Sequence, residues 1–360
     1  MTRRHLLCLG AAAVAARAQS ADLQARAAAV LRKQRDSLID ADGAVVRLKG
    51  KAADGLMAAC FEMTGYRPAA LVCADRVLGA MKKMPAGVLA IKEKEKPGEK
   101  VMGGGPPALG WYAAALGHVY RRAGGRKNDI LYVAQVLDRF AWNPKGWWAA
   151  TVDVTDGHSP VPLDHASPIN KNCAMAMACA TLSEAVRTLD AGLAGSLREK
   201  TVRCLREQIF PAQTSDGFWH YGLTGNDPNN KDVHGYFMLT IELLVGLKRF
   251  APSFRDTGLD QALARAEGYA AKNIAPCTDP YSGRMAAVKT KSTPAHYDVA
   301  ADPKRGYMLS VALVDGNYEE QAAKIVANAL EHFPAGDRGQ DGAHCSYALA
   351  LILGHARGAE

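Results

Sequence analysis

Two kinds of helical pattern alternate along this chain from Ala21 to its end, and that alternation constrains the fold more than any other feature. Segments 22–39, 68–84, 126–139, 194–210, 257–274 and 318–333 are amphipathic. In the last, Tyr318, Ala322, Ile325, Val326, Ala329, Leu330 and Phe333 recur at three-and-four spacing, while Glu319, Glu320, Lys324, Asn328 and Glu331 fill the opposite face. Between these segments lie runs with scarcely a polar face: 56–63, 109–120, 173–182, 236–247, 307–314 and 347–353. The apolar runs are rich in Ala, Leu and Met and poor in Val, Ile and Thr, so they read as helices and not strands.

A helix apolar all round must be covered on every side. Six half-exposed helices alternating with six covered ones therefore predict an all-α fold in two concentric layers, an (α/α)6 toroid. The alternation is unbroken and no Ser/Pro-rich linker interrupts it, so residues 19–360 are expected to form one domain. A superhelical solenoid would keep a fixed repeat length, and these segments do not.

The first residues read as an address. Arg3-Arg4 precede an apolar run ending at Ala16, and Ala16-Arg17-Ala18 is a small-x-small cleavage site before Gln19. The pattern resembles a bacterial twin-arginine export signal over residues 1–18, which implies a periplasmic or secreted protein. Leu6 to Ala16 is too short to cross roughly 30 Å of hydrocarbon, so no membrane anchor is expected once the leader is removed. Cleavage would remove three arginines and no acid, taking the net charge from +8 to +5. The remaining positive charge is spread along the chain without a basic tail or Arg-rich helix, which argues against nucleic acid and for a modest attraction to anions.

Removing Cys8 leaves seven cysteines, an odd number, and no CxxC occurs. Cys60, Cys73, Cys173, Cys179 and Cys204 sit in apolar helical patterns and read as small buried hydrophobes. Cys277 and Cys345 lie near polar loops and are the ones left for a bridge or a metal.

Three long loops lead into apolar helices: 85–107, 141–169 and 276–303. Long loops in a compact domain are usually functional or disordered. The second carries Trp142, Trp147 and Trp148, followed by Asp153, Asp156, His158, Asp164, His165, Asn170 and Asn172. Its tryptophans are either a lid over the inner helices or a stacking platform for sugar rings. The most informative stretch is Asp216-Gly217-Phe218-Trp219-His220-Tyr221, then a Gly/Asn-rich turn, then Asp232-Val233-His234-Gly235-Tyr236 at the start of an apolar helix. Asp216-Gly217 reads as a turn and Asp232 as an N-cap. Asp341-Gly342-Ala343-His344 and Asp54-Gly55 open two other apolar helices in a similar way. In a toroid, Asp54, His234 and His344 would share one rim of a central funnel. Glu62 and Glu242 each fall seven residues after a helix-opening glycine, and each reads as a buried interhelical link or as an acid at the funnel floor.

The 216–236 stretch resembles the D-G-x-W-x-Y segments before inner helices of toroid proteins, including six-hairpin glycosidases, polysaccharide lyases and the squalene-cyclase and prenyltransferase-like toroids. The resemblance spans about 20 residues and implies a fold more than an activity. It implies a carbohydrate-active enzyme whose partner is an oligo- or polysaccharide, neutral or anionic, and which needs no cofactor. Hydrolysis would use paired carboxylates, with Asp216 and Asp232 leading and Asp156 and Asp164 as substitutes. β-Elimination of a uronate would draw on Asn172, His165, His220, His234, Tyr221, Tyr236 and Tyr297, with Arg284 pairing the sugar carboxylate. Trp147, Trp148 and Trp219 would supply the aromatic wall. A non-catalytic glycan-binding protein is the alternative from another class. A zinc-dependent prenyltransferase or cyclase would need Cys277, Asp341, His344 and Cys345 as ligands, but the D-x-C and D-x-D-D signatures of those toroids are absent, so no metal is expected. Walker A, strand-linked G-x-G-x-x-G and G-x-S-x-G motifs are also absent.

Overall fold

The computed structural model describes residues 22–49, 51–83, 91–92, 102–103, 106–140, 142–149, 152–153, 161–162, 168–222, 233–279, 284–286, 296–298 and 303–356. The proposed leader lies outside them. The described chain is predominantly helical, with an α-helix on each of the twelve segments singled out by periodicity. They are α1 (residues 22–37), α2 (Lys51–Met63), α3 (Arg67–Lys82), α4 (Pro106–Ala123), α5 (Lys127–Arg139), α6 (Ile169–Val186), α7 (Ala191–Arg203), α8 (Val233–Phe250), α9 (Leu259–Tyr269), α10 (Pro303–Asp315), α11 (Glu319–Glu331) and α12 (Gln340–Ala356). No described helix is long and apolar enough to cross a membrane.

The two sequence styles become two degrees of burial. In α6 every residue except Lys171 and Glu184 is buried. In α5 only Ile130, Val133, Ala134 and Leu137 are buried, a single stripe at helical spacing. Each even-numbered helix packs on the next, α2 on α4, α4 on α6, α6 on α8, α8 on α10 and α10 on α12, and α12 packs on α2. The odd-numbered helices flank them: α3 contacts α2 and α4, α5 contacts α4 and α6, and α9 contacts α8 and α10.

Small residues let α4 and α6 approach most closely. A Cβ added to Gly110 would lie 2.5 Å from the carbonyl oxygen of Ala174, and Gly117 faces Thr181 and Leu182 at 3.2 and 3.1 Å. Backbone cannot yield as a flexible side chain does. Gly110→Ala is therefore expected to cost about 1–3 kcal/mol, seen as a lower urea midpoint, and an unchanged midpoint would refute this packing.

The outer ends of two helices depart from α geometry. α7 continues into a π turn at Cys204–Ile209 and α9 into another at Ala270–Ile274. The three long loops also carry short antiparallel pairs: Ile91–Lys92 with Met102–Gly103, Trp142–Asn143 with Trp147–Trp148, Val152–Asp153 with Val161–Pro162, and a three-stranded set of Thr278–Asp279, Arg284–Ala286 and His296–Asp298. Strands of two or three residues are below what periodicity can reveal.

Cys60, Cys73, Cys173, Cys179, Cys204 and Cys345 are free and buried. Burial pushes the Cys60 and Cys179 thiols up to about 12, which leaves them unreactive near neutrality. Cys345, placed by sequence near a polar loop, is instead inside α12 in the core. The Cys277 side chain lies outside the described residues.

Candidate active site

The described residues around the N-terminal ends of α6 and α8 bring together the two segments that the sequence singled out. The Ile169 amide, opening α6, donates to the Tyr221 carbonyl at 3.0 Å. The Tyr221 ring stacks on Tyr236 of α8, with centroids 4.3 Å apart and planes inclined by 37°. Both tyrosines are partly exposed. Asn170, the residue after Ile169 in α6, is buried, and its side-chain oxygen has no hydrogen-bond partner. His234, in the first turn of α8, is buried against Phe218, whose ring also meets His220 at 5.2 Å. Two tyrosines, two histidines and an asparagine thus gather at two helix N-termini, where the helix dipoles favour negative charge.

Several residues read as site candidates serve the scaffold. Trp147 and Trp148 are buried, and the Trp148 amide donates to Asn172 Oδ1 at 2.9 Å. The hairpin is therefore a lid packed on the start of α6, and neither of these rings is open to a sugar. Asn172 is fully buried and also donates to the Pro168 carbonyl at 3.3 Å, so it pins this hairpin and faces no ligand. Trp219 is buried, with its indole N–H donating to the Ile209 carbonyl at 2.8 Å. For Trp219 the buried indole N–H has an acceptor in the core, which offsets its removal from water.

Asp216 is exposed and accepts a hydrogen bond from Thr214 Oγ1 at 2.6 Å within its own turn. Gly217 follows with φ of +100°, and an added Cβ would strike the Arg265 carbonyl of α9. The turn reading of Asp216-Gly217 accounts for both residues. Asp232 and His165 lie outside the described residues, as do the side chains of Arg284 and Tyr297.

The rim grouping of Asp54, His234 and His344 divides. Asp54 turns toward α3, with Oδ1 3.6 Å from Arg76, and burial raises its carboxyl to about 6 against the opposing pull of that guanidinium. His344 is buried and its Nε2 lies 2.7 Å from Glu242 Oε2, with the Trp111 ring edge-on at 5.4 Å. Glu242 is therefore the interhelical link that its sequence context allowed, joining α8 to α12. Glu62 lies at the opposite ends of the helices, 3.6 Å from Arg67 and 3.4 Å from Arg122. Periodicity could flag both glutamates as buried. It could not name their partners, which are 102 residues away for Glu242 and 60 away for the Glu62–Arg122 pair.

Among the described residues no group of three or more His, Cys, Asp or Glu could hold a metal ion. The nearest sequence candidates are otherwise engaged, His344 on Glu242 and Asp341 on Lys304 at 2.8 Å. A scan against protein-family models finds no match, and a search of curated proteins finds none, so chemistry must be argued from the residues themselves.

Proposed function

We propose that this chain is an exported (α/α)6 toroid that cleaves a uronate-containing glycan by β-elimination. The toroid is supported by the order of helix contacts, in which six buried helices follow one another and the last returns to the first. Export is supported by the arginine pair and cleavage site of residues 1–18.

The observation that carries the chemistry is the Tyr221–Tyr236 pair beside Asn170 and His234, at the N-termini of α6 and α8. Elimination requires a base to remove the proton next to the sugar carboxylate, a group to neutralise that carboxylate, and a donor for the departing oxygen. The two helix N-termini favour the carboxylate. Tyr236, partly exposed in the first turn of α8, would give its phenolic proton to the departing oxygen while the exposed His220 takes the proton next to the carboxylate and returns it to the tyrosine afterwards. Hydrolysis would need two carboxyl groups facing each other; Asp216 serves its own turn, Glu242 is bound to His344, and Asp156, Asp164 and Asp232 lie outside the described residues.

Incubation of the purified mature protein with uronate and neutral glycans tests the reading. Unsaturated ends absorbing in the ultraviolet are expected from uronate glycans alone. Tyr236→Phe should lower turnover by at least ~100-fold with an unchanged melting temperature, whereas Asp216→Asn should retain turnover. Reducing ends released without unsaturation would replace elimination by hydrolysis, and saturable binding without either product would make the protein a glycan binder.

A further inference from the structure

At the other ends of the even-numbered helices, the last turns of α2, α4, α8, α10 and α12 surround a cavity of about 1330 Å³. Its wall is strongly cationic. Arg67 comes from the start of α3, Arg121 and Arg122 from the last turn of α4, Lys248 and Arg249 from the last turn of α8, and Arg255 from the 3-10 turn Pro252–Thr257. Glu62 and Asp315 are the carboxylates on the same wall.

Basic residues near helix C-termini ordinarily need no ligand, because they complement the helix dipole. That accounts for each helix end singly. It does not account for six cations converging on one hollow, nor for their unequal pairing. Arg121 reaches Glu184 at 3.0 Å, Lys248 reaches Asp315 at 2.8 Å, and Arg67 and Arg122 share Glu62. Among the described residues Arg249 and Arg255 have no carboxylate within ion-pair distance.

Arg249 is the most constrained of the six. It is half-buried and donates to the Gly354 carbonyl at 3.0 Å. Its guanidinium fills the space over Gly354, where an added Cβ would lie 2.5 Å from Nη2. Burial and the like charge of Arg122 hold its pKa below the ordinary arginine value. His118 of α4 also lines the cavity. It is buried with its ring 4.5 Å from Phe250, and neither ring nitrogen has a hydrogen-bond partner. Burial first, then the charges of Arg121, Arg122 and Arg249, bring His118 down to about 3, so at neutral pH the ring is uncharged and carries one unused N–H donor. Crowded like charges are costly, and an anion in the cavity relieves them.

We propose that this cavity binds a small polyanion, a molecule bearing two or more carboxylate or phosphate groups, held by Arg122 and Arg249 with the exposed Arg255 completing the charge and His118 lying behind them. The site lies at the opposite helix ends from the Tyr221–Tyr236 pair, and it stands whether or not that pair eliminates a uronate. The cavity volume exceeds that of ordinary small-molecule sites, so a ligand of several such groups fits.

Calorimetric titration of the mature protein with inorganic pyrophosphate, citrate and chloride at constant ionic strength tests it. Saturable one-to-one binding of pyrophosphate or citrate is expected, and none of chloride; which of the two binds tighter separates phosphate from carboxylate ligands. Arg122→Gln should weaken binding about tenfold or more. Arg249→Gln should do the same, and because Arg249 also holds the Gly354 carbonyl, its melting temperature is measured alongside. The His118 ring resonances should shift during the titration in the native protein. Absence of saturable binding by both polyanions, or equal affinity in Arg122→Gln and the native protein, overturns the proposal. Loss of glycan cleavage in Arg122→Gln would also overturn it, because the cavity would then be the substrate site and not a separate one.

Discussion

Replacing His344 by Ala is expected to destabilise the protein by about 3–5 kcal/mol. Glu242 is fully buried and its Oε2 has His344 Nε2 as partner at 2.7 Å, while Oε1 has none. Removing the imidazole leaves a carboxyl group in the core without a hydrogen bond, and the desolvation cost is no longer offset. The pair also joins α8 to α12, which are otherwise linked by the Arg249 hydrogen bond to the Gly354 carbonyl and the Phe250–Tyr347 ring contact, so its loss removes one of the ties between these helices. Glu242→Gln keeps an acceptor for His344 and should cost far less than His344→Ala. The double variant Glu242→Leu with His344→Leu should recover much of the loss, since apolar replacement of a buried polar pair is often close to neutral. Urea unfolding measures all three, and a His344→Ala midpoint equal to that of the native protein would show that Glu242 has another partner.

The second large effect depends on pH. Glu267 of α9 is buried, and its carboxyl is raised to about 9, chiefly by burial and then by the neighbouring Asp315 charge. Lys248 lies 2.8 Å from Asp315 and 3.4 Å from Asp260, and its charge opposes the shift without cancelling it. A carboxyl raised on folding contributes stability that is complete below the ordinary glutamate value of 4.5. As pH rises the unfolded chain releases its proton while the native state keeps it, so this contribution falls until about pH 9. Glu267→Gln keeps the size and shape of the side chain and cannot ionise. The variant should match the native protein near pH 4.5 and exceed it near pH 8 by more than ~1 kcal/mol, a rise of a few degrees in melting temperature. Parallel stability curves for the two proteins across this range would show that Glu267 does not carry the linkage.

The helices were legible in the sequence because burial writes itself into periodicity. A helix covered on every side, such as α6, has no polar face to display, and a half-covered one, such as α5, must show its stripe. The turn at Asp216-Gly217 was legible for a similar local reason, since only glycine takes φ of +100° against the Arg265 backbone without strain. The tryptophans were harder to place. Trp147, Trp148 and Trp219 have the composition of a sugar platform, yet Trp219 finds the Ile209 carbonyl and the Trp148 backbone finds Asn172, and both contacts are set by neighbours that composition cannot identify. The cationic cavity is not legible in the sequence because its six charges are scattered from Arg67 to Arg255, and each taken singly looks like a helix-end cap or a solvated side chain.

What the sequence determined by itself is the set of elements and their degree of burial: twelve helices, alternately striped and wholly apolar, with turns at the glycines that need them. These follow from interactions within a few residues and from the demand that apolar surface leave water. What only the tertiary structure decided is which distant polar groups meet. His344 finds Glu242 across 102 residues, Tyr221 stacks on Tyr236 beside the start of α6, and six cations from α3, α4, α8 and the turn after α8 converge at one set of helix ends. A buried polar group requires a partner, but nothing in its local pattern says which one; packing geometry selects it from the groups that the folded helices bring within reach.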